Sequence, residues 1–363
     1  MATDSIQARG AIVRSAGARA IIEDFLVDPP GAGEILVRMV TSGICHTDLH
    51  AKLGNFGTEF PYLLGHEAIG IVERVGEGVT APSVGDRVGL TWRAPCGRCR
   101  FCAAGNPVYC AKPVVAAPRM RTSDGLTLGR VLGLGTFCTH AVVAAAQAIP
   151  AAVDLAPEAT CLIGCSVATG AGSALYAAGV TAGSRVAVFG CGAVGINVIL
   201  GARLANASRI VAVDVAPRKL EWATQFGATD VVDARESDPV KQIRALVGGV
   251  DYAFEAIGLP ETLTQAMSSC DLGGVCVMIG LPAPKAMVTF PLAKFFYGRC
   301  TLRATFYGDC LPSRDFPLFE DLYRRKKLPL DDLVTHRVSL DDVEEAFGAM
   351  ERGETLRSVI VFP

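Results

Sequence analysis

Residues 185–195 have the sequence RVAVFGCGAVG, and we expect this stretch to decide the fold of much of the chain. Its first five residues predict a buried strand, and residues 196–204 after it predict a helix. The glycines between them form G-x-G-x-x-G, which is weak evidence when it occurs alone. Between a strand and a helix, such glycines allow a tight turn and a close approach of backbone to a pyrophosphate at the helix N-terminus. The stretch therefore predicts a dinucleotide-binding unit.

The residues that follow continue to alternate between strand and helix. Residues 210–213 predict a second strand, which ends at Asp214, about 20 residues beyond the glycines. A carboxylate at that position can bind the adenosine ribose hydroxyls and repel a 2′-phosphate, so NAD is expected rather than NADP. Further strands are predicted at 230–232, 252–255 and 275–280. The alternation predicts an α/β fold with a doubly wound parallel sheet.

Residues 45–67 carry closely spaced thiol, imidazole and carboxylate groups. Cys45 and His66, about 20 residues apart, can meet at one metal ion. Asp48 and Glu67 beside them can orient the histidine and tune the ion. Taken alone, the cysteine or the histidine would more often be an ordinary buried residue of a half-buried strand. The motifs elsewhere in the chain favour the metal.

Four more cysteines follow with the spacing C-x2-C-x2-C-x7-C: Cys96, Cys99, Cys102 and Cys110. Four thiolates this close predict a closed tetrahedral Zn²⁺ site, which is structural rather than catalytic. An iron–sulfur cluster is a weaker alternative because its familiar spacings differ. A nucleic-acid-binding zinc module is another, supported by Arg93, Arg98 and Arg100 but opposed by the lack of aromatic platforms and of overall basic charge. Chance clustering is the remaining alternative.

Composition limits the class of protein. The chain has 363 residues, of which 50% are hydrophobic and 19% charged, enough for about two domains. A net charge of −2 gives no bulk attraction to nucleic acid or an anionic membrane. Residues 1–5 lack the features of a signal peptide, so the 13 cysteines favour reduced thiols in the cytoplasm over disulfides. No charge occurs between Glu158 and Arg185, but the glycines there favour close packing inside a protein over a membrane span.

The remaining segments predict a second, β-rich unit. Short strands are predicted at 35–40, 68–75 and 84–90, and suggest a distorted barrel. Near the C-terminus the alternation ends, and a helix is predicted at 341–350 and a closing strand at 358–362. The expected domains are a catalytic domain at 1–166 with a zinc lobe at 92–112, a dinucleotide-binding domain at 167–302, and a return to the first domain at 303–363.

Five motifs occur in an order that is specific in combination: Cys45, the G-H-E sequence at 65–67, the four-cysteine motif, the L-I-G-C sequence at 162–165, and the glycines at 190–195. Together they resemble the zinc-dependent alcohol dehydrogenases of the medium-chain dehydrogenase/reductase superfamily, over nearly the whole chain. The resemblance implies a Rossmann sheet inserted into a GroES-like catalytic domain. It also implies that Cys45, His66 and Cys165 bind a catalytic zinc ion, and that the four-cysteine motif binds a structural one.

The resemblance implies roles for the residues around the catalytic zinc. Thr47 would contact the substrate oxygen, and His50 would be the solvent end of a proton relay. Asp48 would hold the His66 ring, and Glu67 would lie behind the ion. As a Lewis acid, zinc lowers the pKa of an alcohol, whose carbon then gives a hydride to the nicotinamide. The proton would leave through Thr47, a ribose hydroxyl and His50.

The same resemblance implies which residues bind cofactor and substrate. The implied cofactor residues are His46, Thr169, Gly190, Gly192, Ala193, Val194, Gly195, Asp214, Lys219, Leu281 and Arg357. The substrate pocket is expected at Trp92, Phe137 and Leu281. The expected partners are a small-molecule alcohol or aldehyde and further copies of the chain, in a homodimer or homotetramer, with no nucleic acid and no membrane.

The substrate is open between branches of the family. Residues 249–258 resemble the class that oxidises the glutathione adduct of formaldehyde. Residues 92–94 and 307–312 resemble mycothiol-dependent formaldehyde dehydrogenases, in a setting shared with bacterial aryl-alcohol dehydrogenases. The acidic loop residues of the glutathione-dependent class are not evident at 54–56, which disfavours that adduct.

We therefore predict an NAD-dependent zinc enzyme that oxidises a primary alcohol, aromatic or medium-chain, to the aldehyde. A thiol-adduct formaldehyde dehydrogenase is the alternative. A non-catalytic zinc protein that senses the cofactor is a distant third interpretation. Such a protein should have lost one of the residues at the catalytic zinc, and Cys45, Thr47, His66 and Cys165 are all present.

Overall fold

The computed structural model describes residues 4–55 and 59–363. The strands in these residues are β1 (Ile6–Val13), β2 (Ile21–Val27), β3 (Glu34–Gly43), β4 (Tyr62–Leu63), β5 (Ala68–Val75), β6 (Arg87–Leu90), β7 (Met120–Thr122), β8 (Gly129–Arg130), β9 (His140–Ala144), β10 (Ala148–Pro150), β11 (Arg185–Phe189), β12 (Arg209–Asp214), β13 (Asp230–Asp233), β14 (Val250–Glu255), β15 (Cys270–Met278), β16 (Thr301–Ala304), β17 (Val334–Val338) and β18 (Arg357–Val361). The α-helices are α1 (His46–Lys52), α2 (Arg100–Ala103), α3 (Pro157–Thr160), α4 (Ser166–Gly172), α5 (Ala193–Leu204), α6 (Pro217–Phe226), α7 (Pro239–Val247), α8 (Pro260–Ser269), α9 (Leu292–Gly298), α10 (Pro312–Arg324), α11 (Leu330–Leu333) and α12 (Val343–Glu351).

The chain divides into two compact units, of which unit 1 comprises Met1–Cys165 and Leu311–Pro363. Its described residues form two sheets, with the strand orders β7-β2-β1-β4-β8 and β10-β6-β5-β3-β18-β17, and β9 also pairs with β3. β3 is buried along almost its whole length and has hydrogen-bonded partners at both edges. Its apolar side chains join a core with residues such as Ile12, Val142 and Phe347. The predicted β-rich unit is confirmed.

Unit 2 comprises Ser166–Cys310 and is built on a parallel sheet. The strand order is β13-β12-β11-β14-β15-β16, so the chain runs outward from β11 in one direction and then in the other. This is the order of a doubly wound dinucleotide-binding sheet. The strands read as continuous apolar runs because side chains on both faces of the sheet are buried, as the consecutive β11 residues Ala187 and Val188 show. The predicted doubly wound sheet is confirmed.

Some predicted boundaries differ from the observed ones because local hydrogen bonds decide where an element begins. The strand predicted at 84–90 begins only at Arg87. The residues before it form a turn, in which the Ser83 backbone N–H donates to the Asp86 carboxylate at 2.8 Å. Helix α5, by contrast, is longer than predicted. It begins at Ala193, three residues earlier than predicted, because Gly192 serves as its N-cap.

In unit 2, the segment without charged residues after Glu158 includes helix α4, which packs closely against α5. A Cβ atom added at Gly170 of α4 would overlap the backbone of Val194 in α5, and one at Gly201 of α5 would lie 2.9 Å from the Cα of Ala171. The two helices therefore touch through their backbones, as the glycine content predicts. Within residues 4–55 and 59–363, no single helix is long and apolar enough to cross a membrane, although the bent pair Pro157–Gly164 and Ser166–Ala178 meets that test jointly.

The two junctions between the units lie at 165/166 and 310/311. The first is one residue from the expected boundary, and the second is eight residues later than the expected 302/303. Residues 303–310 belong to unit 2 because β16 pairs with β15, and because the Cys310 thiol donates to the Ala168 carbonyl at 3.2 Å. Unit 1 resumes with α10.

Candidate functional site

Asp48 organises the start of α1 in unit 1. Cys45 is the N-cap of this helix, and its backbone N–H donates to Asp48 Oδ2 at 3.1 Å. The other carboxylate oxygen, Oδ1, accepts from the Gly65 N–H at 2.9 Å and lies 3.0 Å from His66 Nδ1. The Asp48 side chain is fully buried. A carboxylate facing Nδ1 holds the proton on that nitrogen and leaves His66 Nε2 to bind a metal.

Four potential ligand atoms converge beside Asp48. The donors of Cys45, His66, Glu67 and Cys165 all lie within 4.8 Å of one another, and all four residues are buried. Among the described residues, neither His66 Nε2 nor Glu67 Oε1 has a hydrogen-bond partner. Buried polar atoms are normally satisfied, so two unsatisfied ones facing two thiols call for a cation. Two sulfurs and one imidazole are a donor set that suits catalytic Zn²⁺.

The two thiols of this cluster have opposite proton affinities. The Cys165 thiol, acting as hydrogen-bond donor, and His66 hold the pKa of Cys45 well below its usual range. The same contact and burial raise the pKa of Cys165. Zinc binds the thiolate form, so a bound cation favours the loss of both thiol protons.

Glu67 makes a second contact that sequence reasoning missed. Its Oε2 is paired with Nη2 of Arg357, from β18, and the two residues are 0% and 3% exposed. Burial raises the pKa of Glu67 to about 7, while the guanidinium acts in the opposite direction. A Cβ atom at Gly43 would lie 2.6 Å from Glu67 Oε2 and 2.9 Å from Arg357 Nη2, so only glycine leaves room for the pair.

The second ligand cluster is formed by the sulfur atoms of Cys96, Cys99, Cys102 and Cys110, all within 4.8 Å of one another. The backbone N–H groups of Cys99 and Cys96 donate to the sulfurs of Cys96 and Cys110, each at 3.3 Å. Hydrogen bonds from backbone N–H groups lower the pKa of Cys99 to about 6, and burial raises that of Cys102 to about 12. Four convergent thiols with no open position suit a structural Zn²⁺.

The glycine-rich turn of unit 2 has the geometry that a dinucleotide needs. Gly190 has φ +91°, a left-handed conformation that favours glycine. A Cβ atom at Gly195 would overlap the Gly190 carbonyl, so strand and helix could not approach as they do. Within the described part of the chain, a Cβ atom at Gly192 would meet nothing within 4 Å, which leaves open space at the N-terminus of α5. That space fits a pyrophosphate.

Asp214 is attached to this turn. It ends β12, and its Oδ2 accepts from the Cys191 N–H at 2.7 Å while Oδ1 accepts from the Ala216 N–H at 2.9 Å. The residue is 7% exposed. These bonds hold the carboxylate beside the glycines, and each oxygen has a further lone pair for a ribose hydroxyl. Lys219 is half-buried in the first turn of α6.

The remaining predicted residues differ in their surroundings. In unit 1, Thr47 is half-buried, His46 is exposed, and His50 Nδ1 lies 2.9 Å from Asn55 Nδ2. Trp92 is half-buried against the unit 1 core, and Phe137 lies within that core. In unit 2, Thr169, Ala193 and Val194 are half-buried and Leu281 is 45% exposed. The loop at 54–56, where acidic residues are not evident in the sequence, ends at Phe56, which lies outside the described residues.

Phe137 has no exposed surface, because it packs 6.4 Å from the ring of Phe347 and directly beneath Gly65. A ring without exposed surface offers a substrate no contact in this conformation, and the predicted role of Phe137 in the substrate pocket stays a prediction.

Comparison with known proteins agrees with this geometry. Two family models match: the alcohol dehydrogenase GroES-like domain over residues 31–153, and the zinc-binding dehydrogenase over residues 193–325. An alcohol dehydrogenase zinc-binding domain protein from Burkholderia ambifaria is 33% identical with a TM-score of 0.94, covering 99% of this chain and 100% of that one. Benzyl alcohol dehydrogenase from Acinetobacter calcoaceticus is 31% identical with a TM-score of 0.92 and the same coverage. A zinc-binding dehydrogenase from Sinorhizobium meliloti 1021 bound to NADP is 25% identical with a TM-score of 0.82, covering 98% and 100%.

The doubly wound sheet with its glycine-rich turn and the two clusters of metal ligands define a zinc- and dinucleotide-dependent oxidoreductase. The chain belongs to the zinc-dependent alcohol dehydrogenases of the medium-chain dehydrogenase/reductase superfamily. It is an NAD-dependent enzyme of the alcohol dehydrogenase type, with zinc and NAD(H) as cofactors. The family, the fold class and the cofactors predicted from sequence are confirmed.

Proposed function

We propose that the enzyme oxidises primary alcohols with an aromatic or medium-chain apolar group to their aldehydes. The observation that carries this proposal is the position of Trp92, a large flat side chain that is half-buried against the unit 1 core, four residues before Cys96. A planar substrate gains about 0.5–1.5 kcal/mol from an aromatic neighbour beyond simple burial of area. The similarity to a benzyl alcohol dehydrogenase supports the same substrate class.

The residues of α1 supply a route for the proton that is released. When bound, zinc polarises the alcohol oxygen as a Lewis acid and NAD accepts the hydride. Thr47 is a poor base, but its Oγ1 can accept one proton and donate another, so it conducts rather than stores charge. His50 lies three residues later on the same helix face. Asn55 Nδ2 donates to His50 Nδ1, so the single proton of the neutral ring lies on Nε2. The relay is complete when Nδ1 exchanges this hydrogen bond for the arriving proton and Nε2 releases its own proton to solvent.

Trp92→Ala tests the substrate class. We expect wild-type kcat/KM for benzyl alcohol to exceed that for ethanol and propan-2-ol, and the variant to lose a factor of about 2 to 12 in the benzyl-to-ethanol ratio, the equivalent of one aromatic contact. The variant should also accept branched alcohols better, because the ring no longer hinders them. Trp222→Phe in α6 is the control for loss of a tryptophan elsewhere. If Trp92→Ala lowers kcat/KM for every alcohol equally, Trp92 only packs the core.

A thiol-adduct formaldehyde dehydrogenase is the second candidate, supported by the motifs at 249–258 and 307–312. The two candidates are separated by NAD reduction with formaldehyde, in the presence and absence of glutathione or mycothiol. Activity that requires the thiol and exceeds that with benzyl alcohol would favour the second candidate. Formaldehyde turnover that no thiol enhances would favour the first.

Asp214→Gly tests the preference for NAD. The Asp214 carboxylate lies beside the glycine-rich turn, where it would repel a 2′-phosphate. We expect the variant to lower the NAD-to-NADP ratio of kcat/KM by about 10- to 100-fold, the equivalent of roughly 1.4–2.8 kcal/mol. Exposed Arg218 nearby would favour NADP further. Asp233→Asn, at the end of the adjacent strand, should leave the ratio unchanged. A wild-type enzyme that uses NADP more efficiently than NAD would refute this role.

We also propose that the enzyme is a homodimer or homotetramer assembled through unit 2. β16 is the last strand of the parallel sheet in the described residues, and edge strands are common sites for the association of chains. The preceding helix α9 exposes Leu292, Phe296 and Tyr297 by 72–75%, and exposed apolar patches of this kind mark interaction surfaces. Tyr297→Lys should shift sedimentation toward the monomer, whereas Val153→Lys, at an exposed apolar site in unit 1, should not. A monomeric wild-type protein would contradict the proposal.

A further inference from the structure

Arg93 is set apart from the other arginines near the four-cysteine lobe, which we define as residues 96–110. Its guanidinium Nη2 donates to the carbonyl oxygens of Val108 at 2.8 Å and Cys110 at 3.3 Å. Arg93 is half-buried, whereas Arg98 and Arg100 are exposed. A charged donor shared by two carbonyls forms stronger hydrogen bonds than a neutral one. Arg93 is therefore bonded to the lobe at the residue that also supplies its last thiol.

The segment that carries Arg93 is held at both ends. On one side, the Thr91 N–H donates to the carbonyl of fully buried Gln147 at 2.8 Å. On the other, the Val114 N–H, just beyond the lobe, donates to the Ala94 carbonyl at 2.8 Å. Trp92 lies between these anchors, packed against the unit 1 core. Trp92 is thus flanked by Thr91, which is bonded to Gln147, and by Arg93, which is bonded to the lobe.

We propose that Arg93 is a positioning residue through which the metal-loaded lobe sets the orientation of the Trp92 ring. The Cys110 sulfur belongs to the ligand cluster, and the Cys110 carbonyl accepts from Arg93. A metal ion that fixes the Cys110 sulfur therefore also fixes the Cys110 carbonyl oxygen to which Arg93 donates. When the lobe loosens, the segment keeps its backbone bonds at Thr91 and Ala94 but loses the bonds of Arg93 to the lobe, and the indole becomes mobile. The consequence for substrate choice rests on the proposed role of Trp92, but the positioning itself does not.

The proposal is tested on full-length zinc-loaded enzyme with Trp222 replaced by Phe, so that Trp92 is the remaining tryptophan. Emission wavelength and acrylamide quenching are compared for Arg93→Met, Cys99→Ser, the double variant, and the matched control Arg98→Met. We expect both single variants to shift Trp92 emission to longer wavelength and increase quenching, and the control to match the parent. The double variant should change no more than the larger single effect, because residues that act through one contact are not additive.

Arg93→Lys is the second variant, in case Arg93→Met does not fold. Lysine keeps the positive charge and the aliphatic part of the side chain but lacks the planar guanidinium that bonds to two carbonyls. This variant should fold, as judged by circular dichroism, and give an intermediate fluorescence change. Parent-like emission in both Arg93 variants, or additive effects with Cys99→Ser, would overturn the proposal.

The benzyl-to-ethanol ratio of kcat/KM then separates this proposal from the proposed function. If Trp92 lines the pocket, Arg93→Met should lower that ratio by a factor of about 2 to 12, the equivalent of one aromatic contact, and Arg93→Lys should restore part of it. A fluorescence change without a change in this ratio would retain the positioning role and remove the substrate role of Trp92.

Discussion

Cys45→Ser should remove one of two zinc ions per chain and lower alcohol turnover by a factor of about 10³ or more, since Lewis-acid stabilisation is worth several kcal/mol. Serine is a weaker ligand for Zn²⁺ than a thiolate, and the four donors that include Cys45 have no spare sulfur among them. The fold should survive, because Asp48 accepts its hydrogen bond from the backbone N–H of residue 45 rather than from the side chain. Elemental analysis and NAD reduction are the measurements.

Cys99→Ser is the matched control, because it removes one sulfur from the other cluster. It should also lower zinc content by one ion, but its main effect should be a lower midpoint of thermal unfolding, because a structural ion contributes folding free energy. The two variants thus distinguish a zinc site that is needed for catalysis from one that is needed for stability. A fully loaded wild-type protein with a single zinc ion per chain would contradict the assignment of two sites.

Arg357→Met should destabilise the enzyme by about 3–5 kcal/mol, the range for removal of one partner from a buried ion pair. The change leaves the Glu67 carboxylate in a fully buried position without its guanidinium partner. Glu67→Gln should cost a similar amount, because it leaves the Arg357 charge uncompensated. The measurement is urea unfolding at fixed zinc and NAD concentrations, since both ligands stabilise the folded state.

The double variant Glu67→Gln/Arg357→Met should recover much of the loss, because neither buried charge is left alone. Arg9→Met provides the comparison with an exposed pair. Arg9 lies 2.6 Å from Asp341 with side chains 50% and 57% exposed, and its loss should cost only about 0–1 kcal/mol. Equal effects at Arg9 and Arg357, or a double variant as unstable as the sum of the singles, would show that the Glu67–Arg357 pair does not act as a buried unit.

The cofactor turn shows how much local sequence can predict. The strand Arg185–Phe189 has the predicted bounds, and Asp214 ends β12 as predicted. These features follow from apolar runs and from glycines whose conformations other residues rarely adopt, which are properties of a few neighbouring residues. The bounds of β6 differ because a single hydrogen bond, from the Ser83 backbone N–H to the Asp86 carboxylate, holds the preceding residues in a turn.

The metal sites were predictable to the level of donor type. A thiol and an imidazole about 20 residues apart are compatible with one ion, but also with a half-buried strand. In the structure a helix follows Cys45. The Asp48 carboxylate in its first turn accepts from the N-cap backbone and also lies beside the His66 ring. That one side chain joins two segments, which neither segment's own pattern of residues could reveal.

The sequence by itself determined the doubly wound unit, the β-rich unit before and after it in the chain, the pair Cys45 and His66, the four-cysteine set and the carboxylate beside the glycine-rich turn, because each depends on residue types and spacings within a short segment. Tertiary structure alone decided that Glu67 meets Arg357, 290 residues away, that Gly43 makes room for them, and that Arg93 reaches the carbonyl of Cys110. These contacts carry no local signal, since a buried charge finds its partner through the packing of strands and loops that are distant in the chain.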